Sequence, residues 1–496
     1  MPRRRSISVG TATAVAIGIA VLVVVAAGGG GDASSDAIRC DRGNASSEPA
    51  EADRTSADAQ PGQAVPAEAL PLTARVNVST NGRQANGWAL GAVLSANGRY
   101  VAFASRASTL VHGDRNGTSD IFVRDLRRSR PARVSVSSAG AESNGASIKP
   151  SISADGHTVA FPSSATNLVP GDRNGFQDIF VRDWATGKTR RVSIGDKRES
   201  NGLSLASLVS GDGSVVVFSS EASNLVPGDR NGALDVFVAE TKGRMTSRVS
   251  VGDYGESAGR SEASSVSARG RVVAFRSLAT NLVRDDGNGY PDVFVHDRST
   301  DVTERVNVSS TGIQANGATF RGMLSGDGRF VGFRSRARNL VPGDTNDAMD
   351  VFVHDRVTGK TMRISVATDG AQADTRGLDG HTCGTVFMSR PFLSANGRYA
   401  AFTSRAANLV AGDRNGMPDV FVHDLETGRM VRISVTADGR EANGGSFISG
   451  ISADGRVVAF QSFASNLVPR DTNRRKDVFV ALDVRSRLQA PWAQGG

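Results

Sequence analysis

An element of the G-D-R-N-G-x-x-D type, exact in four copies and varied in three, returns seven times, its first aspartate falling at Asp114, Asp172, Asp229, Asp286, Asp344, Asp413 and Asp471, with spacings of 58, 57, 57, 58, 69 and 58 residues. A chain that repeats on such a period builds one supersecondary unit per repeat, and each unit buries its faces only against its neighbours. Length is a weaker guide, since 496 residues would by themselves suggest about three ordinary domains.

The full repeat reads S-A-D-G-R-x-V-A-F-x-S, then A-S-N-L-V-P-G-D-R-N-G-x-x-D-V-F-V-x-D, then T-G-x-x-x-R-V-S-V, then G-x-x-A-N-G. Each copy holds four short β-type runs separated by Gly, Asn and Asp turn signals. Four strands per repeat make a propeller blade, so the predicted fold is all-β: a seven-bladed β-propeller of four-stranded antiparallel blades over residues 72–485. Fourteen of the 21 phenylalanines occupy two repeat positions, headed by Phe103 and Phe122, which marks them as core between blades. The chain enters this region at Arg75-Val76-Asn77-Val78, a fourth-strand sequence, while no matching run follows Val480. The N-terminal strand is therefore expected to complete the seventh blade and close the ring.

Upstream, a basic P-R-R-R leads into an apolar stretch from Val9 to Ala27 and then G-G-G-G, the pattern of an export signal over residues 1–30. The stretch leaves open cleavage after small residues or retention as a membrane anchor; either way the body is expected outside the cytoplasm. Residues 31–71 are rich in Ala, Ser, Asp, Glu, Gly and Pro without apolar periodicity and read as a disordered linker, and 486–496 read as a C-terminal tail. Of the net charge of +8, three charges are Arg3, Arg4 and Arg5. The remaining arginines are scattered through the repeats, a pattern that argues against a nucleic-acid partner. Cys40 and Cys383 have neither a metal-ligand spacing nor the density of a disulfide scaffold, and whether they pair is open.

The S-A-D-G-R-x-V-A-F, D-x-x-D-V-F-V-x-D and T-G-x-x-x-R-V-S-V elements resemble the WD40-like repeat (PD40) of TolB-type β-propellers, over about 410 residues. That resemblance implies an exported, non-catalytic binding platform.

In an up-and-down blade, the second-to-third and fourth-to-next-first connections emerge on one face of the ring. Here those are the long N-L-V-P-G-D-R-N-G and G-x-x-A-N-G loops, so ligands are expected on that face. The D-x-N-G-x-x-D element resembles part of the calcium loop of integrin-type propellers, lacking its leading carboxylate. It would draw on Asp114, Asn116 and Asp120; Asp172, Asn174 and Asp178; Asp229, Asn231 and Asp235; Asp286, Asn288 and Asp292; Asp344, Asn346 and Asp350; and Asp413, Asn415 and Asp419. The competing reading is a hairpin in which Asp and Asn cap their own backbone through Asx turns. Arg474 replaces the glycine in the last copy.

Gly255-Glu256-Ser257-Ala258-Gly259 matches the nucleophile-elbow pattern, but Ser257 aligns with Ser143 and Ser200 of the E-S-N-G loops and reads as a repeat variant. His296, His354 and His423 share one position in three blades and read as surface or strand-end residues spread around the ring. An insertion at about 374–385 carries Asp379, His381 and Cys383 on the long-loop face, as a specificity loop or a tolerated insertion.

These readings lead to the expectation of a monomeric, non-enzymatic scaffold that binds an envelope protein or glycan, touches the membrane only through its N-terminus and needs no cofactor unless calcium. The alternatives are an exported propeller lyase or glycosidase, which would need converging side chains that break the repeat symmetry, and a calcium-dependent adhesive module.

Overall fold

The computed structural model describes residues 73–128, 130–195, 198–243, 245–374 and 390–489. Seven four-stranded antiparallel sheets form a ring, as expected from the repeat. The first runs Ala89–Leu94, Tyr100–Ser105, Asp120–Asp125 and Pro131–Arg133, each strand pairing with the next. The first strands of successive blades pack against one another around the axis, which makes them the inner strands.

The V-A-F and D-V-F-V runs are continuously apolar because both faces of a blade's middle strands are covered by neighbouring blades. Every residue of Tyr100–Ser105 and of Asp120–Asp125 is buried. The paired phenylalanines lie opposite each other in register, Phe103 against Phe122 and Phe275 against Phe294. Their rings stack at 5.8 Å and 5.7 Å between centroids, and the pattern holds in all seven blades. The core is divided into seven clusters, each straddling two blades; Phe103 and Phe122, for example, pack with Val478 and Val480 of the last.

On the short-turn face, each S-A-D-G turn is set by its own side chains. Ser95 Oγ donates to Asn97 Oδ1 and accepts from Tyr100 N, while Gly98 takes the left-handed φ of 68° that the turn requires. The turns then join blade to blade. Asn97 N donates to Ala154 O, Ala154 N to Gly211 O, Asp212 N to Ala268 O, Ala268 N to Gly326 O, Asp327 N to Ala395 O, Ala395 N to Ala453 O, and Ala453 N to Ala96 O. These bonds form a closed circuit around the ring.

The last sheet is completed by Thr73–Arg75, which pairs with Asp477–Ala481 in the register Thr73↔Ala481 to Arg75↔Phe479. Closure by the N-terminal strand is thus as the sequence implied. The chain then adds a short helix, Val484–Gln489, whose Val484 and Leu488 join the core around Ile433 and Phe460. That helix has no signal in the repeat and lies across the boundary of the residues read as a tail. Among the described residues no helix is long and apolar enough to cross a membrane.

Candidate functional site

The six D-x-N-x-x-x-D triplets predicted as metal sites are each brought together, with an arginine from the outer strand among them. In the first blade Arg133 Nη1 lies 2.5 Å from Glu142 Oε1, 3.4 Å from Asp114 Oδ1 and 3.5 Å from Asp120 Oδ2. Arg191 is placed likewise among Asp172, Asp178 and Glu199, Arg248 among Asp229, Asp235 and Glu256, and Arg432 among Asp413, Asp419 and Glu441. Arg305 faces Asp286 and Asp292, and Arg363 faces Asp344 and Asp350, with Gln314 and Gln372 taking the glutamate's place. In the seventh blade Arg75 of the closing strand supplies the cation to Asp471 and Asp477.

The asparagines turn their amide nitrogens inward. Asn116 Nδ2 donates to Asp120 Oδ2 (2.8 Å) and Ser143 O (3.0 Å), while its Oδ1 accepts Thr118 N at 2.9 Å, an Asx turn. Asn174, Asn231, Asn288 and Asn415 repeat this pattern, and Asn346 keeps the turn and the carbonyl contact. Asp120 Oδ1 is taken by the hydroxyls of Ser135 (2.5 Å) and Ser143 (3.0 Å).

Asp114, Asp120 and Glu142 do hold oxygens within 4.8 Å of one another, a spacing a cation can bridge. The guanidinium already stands among them, and Asn116 presents N–H rather than oxygen. This donor set does not fit calcium, which wants six to eight oxygens around it. Burial and the neighbouring carboxylates push Asp114 and Asp413 up to about 6, against the pull of the arginine. Three carboxyls around one cation leave a buried one short of compensation.

Ser257 is buried within its blade; its Oγ donates to Gly259 O at 2.7 Å and meets the hydroxyls of Ser261 and Ser277. It fills the loop position that its alignment with Ser143 implied. His296, His354 and His423 stay in three separate blades, but they are buried rather than at the surface: Nδ1 meets Thr303 Oγ1, Thr361 Oγ1 and Ile364 O respectively. The D-V-F-V-H run is a middle strand covered on both faces, and period alone could not show that the cover extends to its fifth residue. Asp379, His381 and Cys383 lie outside the described residues, as do Cys40 and the export segment.

One group was missed by reasoning from the repeat. On the inner strands or just ahead of them, the residue four places before the turn serine is Gly91, Lys149, Ala206, Ala263, Arg321, Arg390 and Ile448 around the ring. On the second strands, the residue after the core phenylalanine is Ala104, Pro162, Ser219, Arg276, Arg334, Thr403 and Gln461. Three blades carry a cation at the first position and two at the second. Arg276 and Arg334 both lie over the Phe320 ring, at 5.9 Å and 5.2 Å, and Arg390 lies over Phe392 at 5.5 Å. Glu262, cross-strand from Arg276, bonds Arg321 at 2.9 Å and Arg260 at 3.1 Å. The signal was present in the sequence as a departure from the repeat, which averaging over copies hides.

No family model matches the sequence, and no curated protein matches it. Solved structures that resemble it include putative TolB from Agrobacterium tumefaciens (13% identity, 71% of this chain and 94% of that chain, TM-score 0.36). They also include an oligogalacturonate lyase in complex with manganese (11% identity, 85% and 93%, TM-score 0.49) and the Pyrococcus horikoshii acylaminoacyl peptidase (12% identity, 79% and 50%, TM-score 0.44). The presence of a lyase and a peptidase beside TolB corrects the expectation that this chain is not an enzyme. A propeller serves in catalysts as well as in binding proteins, so neither the repeat nor the lack of a familiar catalytic motif marks it as non-catalytic. In architecture the chain is similar to TolB and to other propellers of this WD40-like kind, a likeness of fold.

Proposed function

We propose that this propeller is exported and binds a protein or glycan partner on its long-loop face. The observation that carries this reading is the placement of exposed aromatic rings. Among the described residues these are Trp88, Phe176, Tyr254, Tyr290 and Phe463, and all five emerge from the long-loop side of their blades. Aromatic side chains left in water on one face are the usual anchors of a binding surface, where a large apolar area is covered at small cost in side-chain entropy. The loops that carry them are braced: Asn144 N bonds Asn167 Oδ1, and Asn167 Nδ2 returns to Glu142 O. A braced surface loses little freedom on binding.

The test compares the full chain with F176A/Y290A in capture from solubilised envelope and on a glycan array, with melting curves as the control for folding. Loss of a wild-type ligand in the variant at unchanged stability supports the reading; equal capture by both overturns it. Any captured ligand is also incubated with the protein and assayed for turnover.

A further inference from the structure

We propose that the inner wall of the ring is a binding site for an acidic oligosaccharide, held through its carboxylate or sulfate groups by Lys149, Arg276, Arg321, Arg334 and Arg390. This rests on the long-loop-face reading and names the ligand class that the same face takes.

In a repeat protein the demands of folding are nearly the same in every blade, so side chains that differ at equivalent positions are set by something other than the fold. The five cations depart in that way, where other blades place Gly, Ala, Pro, Ser, Thr, Gln or Ile. They come from the second, fourth, fifth and sixth blades, and the fourth and fifth are joined directly: Arg276 and Arg334 share the Phe320 ring, and Glu262, cross-strand from Arg276, bonds Arg321. Burial, then Arg321 and Arg334, push Arg390 down to about 10, and Lys149 is lowered by its enclosing walls and by Arg321 and Arg390.

Among the described residues one acid pairs with these cations, Glu262, which bonds Arg321 and also Arg260. Among the described residues Arg334 Nε is buried without a hydrogen-bond partner, and its guanidinium lies over the Phe320 ring. Convergent like charges that the fold does not neutralise destabilise it, and such clusters mark sites whose partner arrives from outside.

The guanidinium fork matches carboxylate and sulfate geometry, so the missing partner is an oxyanion. Charges spread over four blades suit a ligand with several spaced anionic groups better than a single small ion. Their spread around the ring's inner edge, rather than along one open stripe, suits a slender chain and not a nucleic-acid backbone. The exposed rings of Trp88, Phe176 and Tyr290 on the same face offer stacking surfaces for the apolar faces of pyranose rings.

The test is a titration of the full chain with a short oligouronate, its fully methyl-esterified form, a heparin oligosaccharide, single-stranded DNA and poly-glutamate. The acidic sugars are expected to bind and the ester not to. R334Q/R390Q should weaken binding roughly tenfold or more. E262Q should strengthen it, a direction that loss of folding cannot produce. Equal affinity for acid and ester, or no effect of R334Q/R390Q at unchanged melting temperature, overturns the proposal; so does binding of DNA or poly-glutamate without the sugars. If F176A/Y290A abolishes partner binding while R334Q/R390Q does not, the long-loop reading stands and this one falls. If neither variant matters, both fall.

Discussion

Asn77 and Asp477 are separated by 400 residues in sequence, yet Asn77 Nδ2 donates to Asp477 Oδ1 at 2.6 Å in the buried heart of the closing blade. Val478 N returns the contact, donating to Asn77 Oδ1 at 2.9 Å. The same pair of bonds is made within other blades by residues close in sequence, as between Ser365 and Asp350. The seventh blade makes it from the two ends of the chain, so Asn77 adds a side-chain tie to the strand pairing and the Arg75 ion pairs that close the ring.

N77A should therefore cost about 1–3 kcal/mol, since it leaves the buried Val478 amide unpaired and removes one of the two donors to Asp477 Oδ1, the other being Asn473 Nδ2. Denaturant melts and limited proteolysis check it. Cleavage should begin at the loosened end strand, and an unchanged midpoint would show that strand pairing alone closes the ring.

Arg191 touches Asp172, Asp178 and Glu199 at 2.9, 3.1 and 2.8 Å with its side chain 9% exposed. Replacing it with leucine strands those acids, for which about 3–5 kcal/mol of stability loss is expected. A urea melt of R191L with a loss below about 1 kcal/mol would mean that the cluster is no clamp.

Since the arginines stand where a cation would bind, chelation or added calcium should leave the melting temperature of the wild type unchanged. R133Q vacates the space among Asp114, Asp120 and Glu142. If calcium raises the melting temperature of the wild type, the reading of this cluster as already filled is wrong; a rise confined to R133Q supports it.

Asp413 is raised to about 6 by burial and by Asp419, Glu441 and Asp374, with Arg432 opposing. Its unfolded pKa is about 3.9, so between about pH 4 and 6 the native state binds more protons than the unfolded one. Stability from this group is full below the window and is lost as pH rises through it. D413N removes the titration, so its stability relative to wild type should rise by about 1–2 kcal/mol from pH 4 to 7. Paired melts across that range check the sign. The buried His296, His354 and His423, whose pKa values burial lowers, pull the other way, losing stability as pH falls below about 6.5. The comparison with D413N cancels their contribution.

The blade count, the four strands, the stacked phenylalanines and the closing strand at Arg75 were all legible in the sequence, because each follows from a period and from contacts between neighbouring repeats. The arginine clamp was half legible. Arg133 follows Asp114 by 133 − 114 = 19 residues, and Arg191 follows Asp172 by 191 − 172 = 19, a constancy that ties the two. A fixed spacing does not say that the outer strand carries its guanidinium into the acidic loop, so the motif left calcium standing beside the Asx-turn reading. Burial of the three strand histidines also needed the neighbouring blade. The convergence of Lys149, Arg276, Arg321, Arg334 and Arg390 belonged wholly to the tertiary structure, since only closing the ring brings residues from non-adjacent blades to one inner wall.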